Sequence, residues 1–179
     1  MIKSLLLILG CLASLSAAAE DIYLSQEQFL AQSFPQSEQQ APTMAMLWLD
    51  ADTKAAAEQQ LGFELKGLRL RYWHRGSRTA WILEEIGKDR PITFGVVVDD
   101  GKVIAAPVMV YRESRGGEVR FAAFQRQFEG AQLADDGKLD RTIDGISGAT
   151  LSVNAMKKVV REALFFHNRH LLNNPNQPQ

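Results

Sequence analysis

Seven residues late in the chain, Asp144-Gly145-Ile146-Ser147-Gly148-Ala149-Thr150, gather an acid, two hydroxyls and two glycines just before a long amphipathic pattern. Gly145 and Gly148 allow backbone angles that other residues avoid, so the chain there turns sharply or approaches a ligand closely. A helix starting directly afterwards presents unpaired N–H groups and the positive end of its dipole, which together suit an anion. Thr150 would set a hydroxyl beside that anion. A phosphate held in this way needs no lysine, and no G-x-x-x-x-G-K-[ST] phosphate loop occurs in the chain. The same residues also suit an ordinary turn, with Asp144 or Ser147 capping the bend and Thr150 or Ser152 capping the helix. The residue types alone leave both open. A nucleophile elbow, G-x-S-x-G, is a poorer match: Ala149 stands where the last glycine belongs, and no suitable strand feeds Gly145.

Other chemistry-bearing residues invite plainer readings. His167 and His170 are three apart on the last helical pattern, a spacing compatible with a metal, but no third ligand is evident nearby. They are expected to face solvent as a pair, and no metal site is expected. Arg69, Arg71, His74, Arg75 and Arg78 read as a solvated strand face, although such a stretch would also steer an acidic partner. Trp48, Trp73 and Trp81 read as core or rim packing.

The elements that must position these residues follow from periodicity and punctuation. Ser25-Gln-Glu-Gln28 has the form of a capping box before Phe29, Leu30 and Phe34, and Pro35 ends that short helix. Residues 36–42 read as a polar linker, 44–49 as an apolar run of undecided type, and 53–61 as an alanine-rich helix closed by Gly62. Alternation over 68–73 and 79–86 predicts two strands around a turn at Gly76. Residues 92–98 and 103–111 form a hairpin about Asp99-Asp100-Gly101. Phe121, Phe124 and Phe128, at helical spacing, predict a helix over 119–128. Val153, Met156, Val160, Ala163 and Leu164 mark the inner face of a final helix. Helices at both ends around a meander predict a single α+β domain, an antiparallel sheet with packed helices.

The 179 residues are 46% apolar and 23% charged, enough for one core, and the formal charge of −1 argues against a nucleic-acid partner. Residues 1–19 read as a secretory signal: Lys3, a short apolar run, then Ala17-Ala18-Ala19 with cleavage before Glu20. Alternatives are a retained N-terminal anchor or lipidation at Cys11. Cleavage removes Lys3 and the single cysteine, leaving 19 basic against 21 acidic residues, a charge of −2. A cysteine-free chain has no disulfide, iron–sulfur cluster or C-x-x-C-H haem attachment, so any redox role needs another cofactor. Residues 173–179 read as a disordered tail.

In order along the chain, the Asp99-Asp100-Gly101 hairpin, the segment 111–119, Gln127-Phe128-Glu129-Gly130 and the D-x-x-S-G-A-T motif ending at Thr150 resemble the FMN-binding domain family. That family includes the covalently flavinylated subunits of the sodium-translocating NADH:quinone reductase and of the Rnf complex, together with small exported single-domain proteins. The resemblance covers roughly residues 92–166. It divides the chain into a signal peptide (1–19), the N-terminal part of the domain (20–90), an FMN-binding core (91–172) and the tail. It implies FMN joined to Thr150 through a phosphoester by a separate flavin transferase. It further implies that Gly148, Ala149 and the helix start cradle the phosphate, that Ser147 and Asp144 shape the turn, with Asp144 read by the transferase, and that Ile146 belongs with the cofactor-binding residues. Glu113, Ser114, Gly116, Gly117 and Glu118 would lie against the isoalloxazine, where backbone N–H groups would favour the reduced flavin. This chain has Glu113-Ser114-Arg115-Gly116 where the family often has E-T-x-G.

Three functions are weighed on these grounds. The first is an electron carrier in the periplasm, taking electrons from a membrane donor and passing them to a redox partner. The second is a small flavin reductase acting directly on an extracytoplasmic metal chelate or quinone. The third is a binding module in which the motif is an unmodified turn. No acid–base pair is placed for catalysis on an organic substrate, which favours the carrier.

Overall fold

The computed structural model describes residues 21–35 and 40–173. The signal reading, with its alternatives at Cys11 and Ala19, lies outside the described residues, as do most of the linker at 36–42 and the tail after Asn173.

Short-period alternation and turn chemistry build one antiparallel sheet. Its strands are β1 (Asp21–Ile22), β2 (Thr43–Trp48), β3 (Arg69–Arg75), β4 (Arg78–Ile86), β5 (Pro91–Asp99), β6 (Lys102–Ala105) and β7 (Val108–Tyr111). The order is β1-β7-β5-β4-β3-β2, with β6 also paired to β5. The sheet therefore crosses residue 90 without a break, and the two stretches expected on either side of that position share one set of hydrogen bonds. The undecided run at 44–49 is strand β2, paired to β3 from Thr43↔His74 to Trp48↔Arg69.

Both faces of the sheet are covered at β5, which is buried at every position between its ends. One face carries Trp81, Phe94, Val96 and Val98 against α4 (Thr150–Asn173) and α2 (Ala51–Leu61). Burying each such side chain contributes about 1.5–3 kcal/mol. The other face carries Trp73, Ala80, Val97 and Met109 against α1 (Gln26–Ser33). Gly95 makes that contact possible, because a Cβ there would stand 2.4 Å from the Phe29 ring. The capping box of α1 is formed, Ser25 accepting from Gln28 N and Gln28 Oε1 accepting from Ser25 N. Asp50 caps α2, and Gly62 closes it in the left-handed conformation.

Two expectations are corrected. The strand expected over 103–111 is split at Ala106-Pro107, with register shifts on both sides. Proline has no N–H for the ladder, and its carbonyl instead accepts from Gly95 N at 2.9 Å. The helix expected over 119–128 is broken into a 3₁₀ turn (Gly117–Arg120), a single helical turn α3 (Ala122–Gln125) and another 3₁₀ turn (Arg126–Phe128). Phe121 interrupts it with an extended backbone, φ −70° and ψ 133°, and is 54% exposed while Phe124 and Phe128 are buried.

Candidate functional site

The motif folds as a turn that feeds α4. Ala149 N donates to Ile146 O at 3.0 Å, closing a four-residue turn with Gly148 at its third position, φ +81°. Type II turns require such an angle there, which explains the glycine. Gly145 does not adopt a left-handed angle, contrary to expectation, and is simply open to solvent. The Ile146 side chain packs against the main core, so it anchors the turn from within. Gln127 Oε1 accepts from Asp144 N at 2.8 Å, and Lys157 Nζ donates to Ile143 O at 2.9 Å. These two bonds tie the segment around Gln127 to the motif and leave Asp144, Ser147 and Thr150 exposed.

The residue at the helix start has no side chain able to cap it. The carbonyl of Ala149 accepts the first helical bond, from Val153 N at 3.0 Å, which makes Ala149 the cap residue, and a methyl group cannot accept a hydrogen bond. The capping roles considered for Thr150 and Ser152 are therefore not taken up at this position. The amides of Thr150, Leu151 and Ser152 lie in the first turn, where no intrahelical carbonyl reaches them. Ser152 is 4% exposed, and its hydroxyl lies 3.1 Å from Tyr111 Oη. Tyr111 also donates to Arg115 O, and burial pushes its phenol up from the ordinary value.

The loop at 113–118 packs onto this helix start. Gly116, φ +80°, is buried, and a Cβ there would meet Ser152 Oγ at 2.8 Å and the Ala149 Cβ at 3.3 Å. Two open clefts result. One, of about 550 Å³, is lined by Lys88, Glu113, Ser114, Arg115 and residues 148–152, including Thr150. The other, of about 510 Å³, is lined by Asp21, Tyr111, residues 113–118, Arg120, Phe121, Ser147 and Gly148. They share Glu113, Ser114, Arg115 and Gly148, and each falls within the size range of small-molecule sites.

The structure thus gathers Glu113, Ser114, Gly116, Gly117, Glu118, Ser147, Gly148, Ala149 and Thr150 around adjoining clefts, while Asp144 and Ile146 stand outside them. Glu113 has a further engagement. Its Oε1 accepts from the amides of Lys88, Asp89 and Arg90 at 2.5, 2.7 and 2.9 Å. Burial pushes this carboxyl up, but the three donors outweigh it and hold the pKa below the ordinary value. Glu113 therefore clamps the turn before β5 and carries Lys88 to the cleft edge. Lys88, Tyr111, Arg115, Arg120, Phe121 and Ser152 were not singled out as site residues from sequence. Only the position of Arg115 inside the glycine loop would have flagged one of them.

The histidines differ most from expectation. His167 is fully buried and His170 is 8% exposed, so neither faces solvent. Among the described residues no group of three or more His, Cys, Asp or Glu could hold a metal. Trp73 and Trp81 are core, and Trp48 is 62% exposed at the sheet rim. The basic strand stretch is mixed: Arg69 and Arg71 are exposed, whereas Arg78 makes a 2.8 Å ion pair with Asp99.

Residues 87–165 match the family model described as the FMN-binding domain. The match runs from the turn before β5 into α4 and contains the loop at 113–118 and the whole of the motif. This stretch of the chain, not the chain as a whole, is thus similar to the FMN-binding domain. Among solved structures, the crystal structure of NqrC from Shewanella oneidensis is similar with a TM-score of 0.48 and 16% identity, covering 72% of this chain and 83% of that one. No curated protein matches the chain.

Proposed function

We propose that this protein is an exported, periplasmic electron carrier whose FMN is attached through a phosphoester to Thr150 Oγ1 by a separate flavin transferase. It passes electrons between a membrane donor and a redox partner. The observation that carries the reading is the exposed Thr150 at the first position of a helix whose cap residue is Ala149, opening onto a cleft that also holds Lys88 and Arg115.

The residues present fit the group. The amides of Thr150, Leu151 and Ser152 would donate to a phosphate, with the helix dipole adding to the attraction. Lys88 and Arg115 would supply compensating charge from the cleft wall. Gly148 leaves the path from Thr150 toward the second cleft clear, because nothing lies within 4 Å of where its Cβ would stand. Gly116 lets the 113–118 backbone lie directly on the helix start. FMN, when bound, supplies reversible electron transfer at its isoalloxazine. Covalent attachment would keep a cofactor that otherwise diffuses away outside the cytoplasm.

Intact mass tests the attachment. Protein coexpressed with a flavin transferase gains the mass of FMN less one water; an unchanged mass removes the proposal. Stopped-flow spectroscopy then tests the role. A carrier exchanges electrons with a protein partner much faster than with a metal chelate or a quinone. The opposite ranking makes the protein a flavin reductase.

A further inference from the structure

Arg120 and Phe121 line the cleft that does not include Thr150, and the phosphate anchor leaves this shelf unexplained. The Arg120 guanidinium lies 5.2 Å from the Tyr23 ring centroid and 5.5 Å from that of Phe121. Its Nη1 donates to the Tyr23 hydroxyl at 2.7 Å, and that hydroxyl donates to Asp21 Oδ2 at 3.0 Å. Gln125 Nε2 holds the Arg120 carbonyl at 3.0 Å. The arrangement joins the start of the described chain, where β1 pairs with β7, to the 3₁₀ turn after Gly116. Phe121 is 54% exposed and Tyr23 41% exposed. Phe121 sits there because its extended backbone breaks the helical pattern that would have buried it.

We propose that Arg120 and Phe121 form the seat of the isoalloxazine ring, with Arg120 as the fixed cation beside it and Tyr23 holding that cation in place. The proposal rests on Thr150 as the FMN anchor. Three observations carry it. The shelf cleft and the Thr150 cleft share Glu113, Ser114, Arg115 and Gly148, so a group anchored at Thr150 crosses Gly148 to reach the shelf. Flat aromatic faces and a guanidinium plane are the surfaces on which a planar heteroaromatic ring stacks. Finally, two-electron reduction with uptake of one proton leaves a flavin ring with one negative charge. A held cation favours that form over the neutral oxidised ring. The carboxylates of Asp21, Glu113 and Glu118 line the same cleft and oppose Arg120, so its removal is expected to matter more than a single charge in open solvent.

The test uses full-length protein coexpressed with a flavin transferase, as wild type, Phe121→Ala, Arg120→Gln and Arg120→Lys. All four gain the FMN mass, since none of the substituted residues touches Thr150. Phe121→Ala increases iodide quenching of flavin fluorescence at least threefold. Arg120→Gln shifts the reduced-to-oxidised flavin ratio at a fixed dithionite-set potential at least tenfold toward the oxidised form, and Arg120→Lys restores most of it. No FMN mass on the wild type overturns the anchor and the seat together. FMN mass present with quenching and ratio unchanged in Phe121→Ala and Arg120→Gln overturns the seat alone. So does slowed transfer to a protein partner with an unaltered flavin, which makes the shelf a docking surface.

Discussion

The two ends of α4 carry polar side chains under opposite conditions. At its start, Ala149 offers no cap, and the Thr150 hydroxyl is exposed on a cleft. Near its far end, His167 is buried with both ring nitrogens engaged: Gly101 N donates to Nε2 at 3.0 Å, and Nδ1 lies 2.8 Å from Thr79 Oγ1. Because Nε2 accepts, the ring is the neutral Nδ1–H tautomer and donates to Thr79, which also accepts from Trp81 Nε1 at 2.8 Å. His170 pairs with Tyr72 Oη at 2.9 Å, and its ring lies tilted against His74 with centroids 4.9 Å apart. The histidines are spent on holding the β5–β6 hairpin and β3 to the helix. The helix start keeps its donors and a hydroxyl for something else. The residues best matched within the fold are thus the least available for chemistry.

Breaking the buried end should cost the most stability. His167→Ala removes a core ring, strands the Gly101 amide and takes one of the two partners of the Thr79 hydroxyl, a loss of about 3 kcal/mol or more in urea unfolding. The variant that still folds should accept FMN normally if the two ends are independent. Loss of attachment in folded His167→Ala would break the comparison.

The same contrast has a pH signature. Burial, then the neighbouring His170, pushes His167 down to about 4. The unfolded chain therefore binds more protons below its ordinary 6.5, so stability falls as pH drops from 6.5 toward 4, by on the order of 3 kcal/mol. Glu162, one turn earlier, acts in the opposite sense. Burial pushes it up to about 7, Lys158 partly offsets this, and Glu85 adds to the rise. Its folded form holds a proton that the unfolded chain releases above 4.5, so stability falls as pH rises from 4.5 to 7. The two slopes oppose each other between 4.5 and 6.5. Glu162→Gln should expose the His167 slope, read as a steeper rise in urea midpoint over that interval, and an unchanged profile would remove this assignment.

Smaller effects belong to the helix start. Gly116→Ala forces an L side chain to φ +80° and drives its Cβ to 2.8 Å from Ser152 Oγ, which should cost about 1–3 kcal/mol and slow flavin attachment. Tyr111→Phe removes the bonds to Ser152 and the Arg115 carbonyl and should lower thermal stability by about 1 kcal/mol, with attachment retained.

What was legible in sequence follows the same physics. The capping box at Ser25, the Gly62 stop and the Asp99-Asp100-Gly101 hairpin depend on neighbours in the chain, so local reading sufficed. Phe121 and Pro107 break elements whose periodicity looked continuous, because a single backbone angle or a missing N–H outweighs the pattern. His167 and His170 were misplaced because their partners, Thr79, Gly101 and Tyr72, lie 66 to 98 residues away. At the candidate site, the motif and the 113–118 loop were visible as glycine-rich punctuation. Arg120 and Phe121 were not, because only the fold brings Tyr23 and Asp21 beside them.

The most direct measurement is the intact mass of the wild type, Thr150→Val and Ser147→Ala, each coexpressed with a flavin transferase. The account predicts that wild type and Ser147→Ala gain the mass of FMN less one water, while Thr150→Val gains nothing yet melts at the same temperature as unflavinylated wild type. A Thr150→Val protein carrying the full FMN mass, or a Ser147→Ala protein alone in losing it, would contradict the assignment of Thr150 as the anchor.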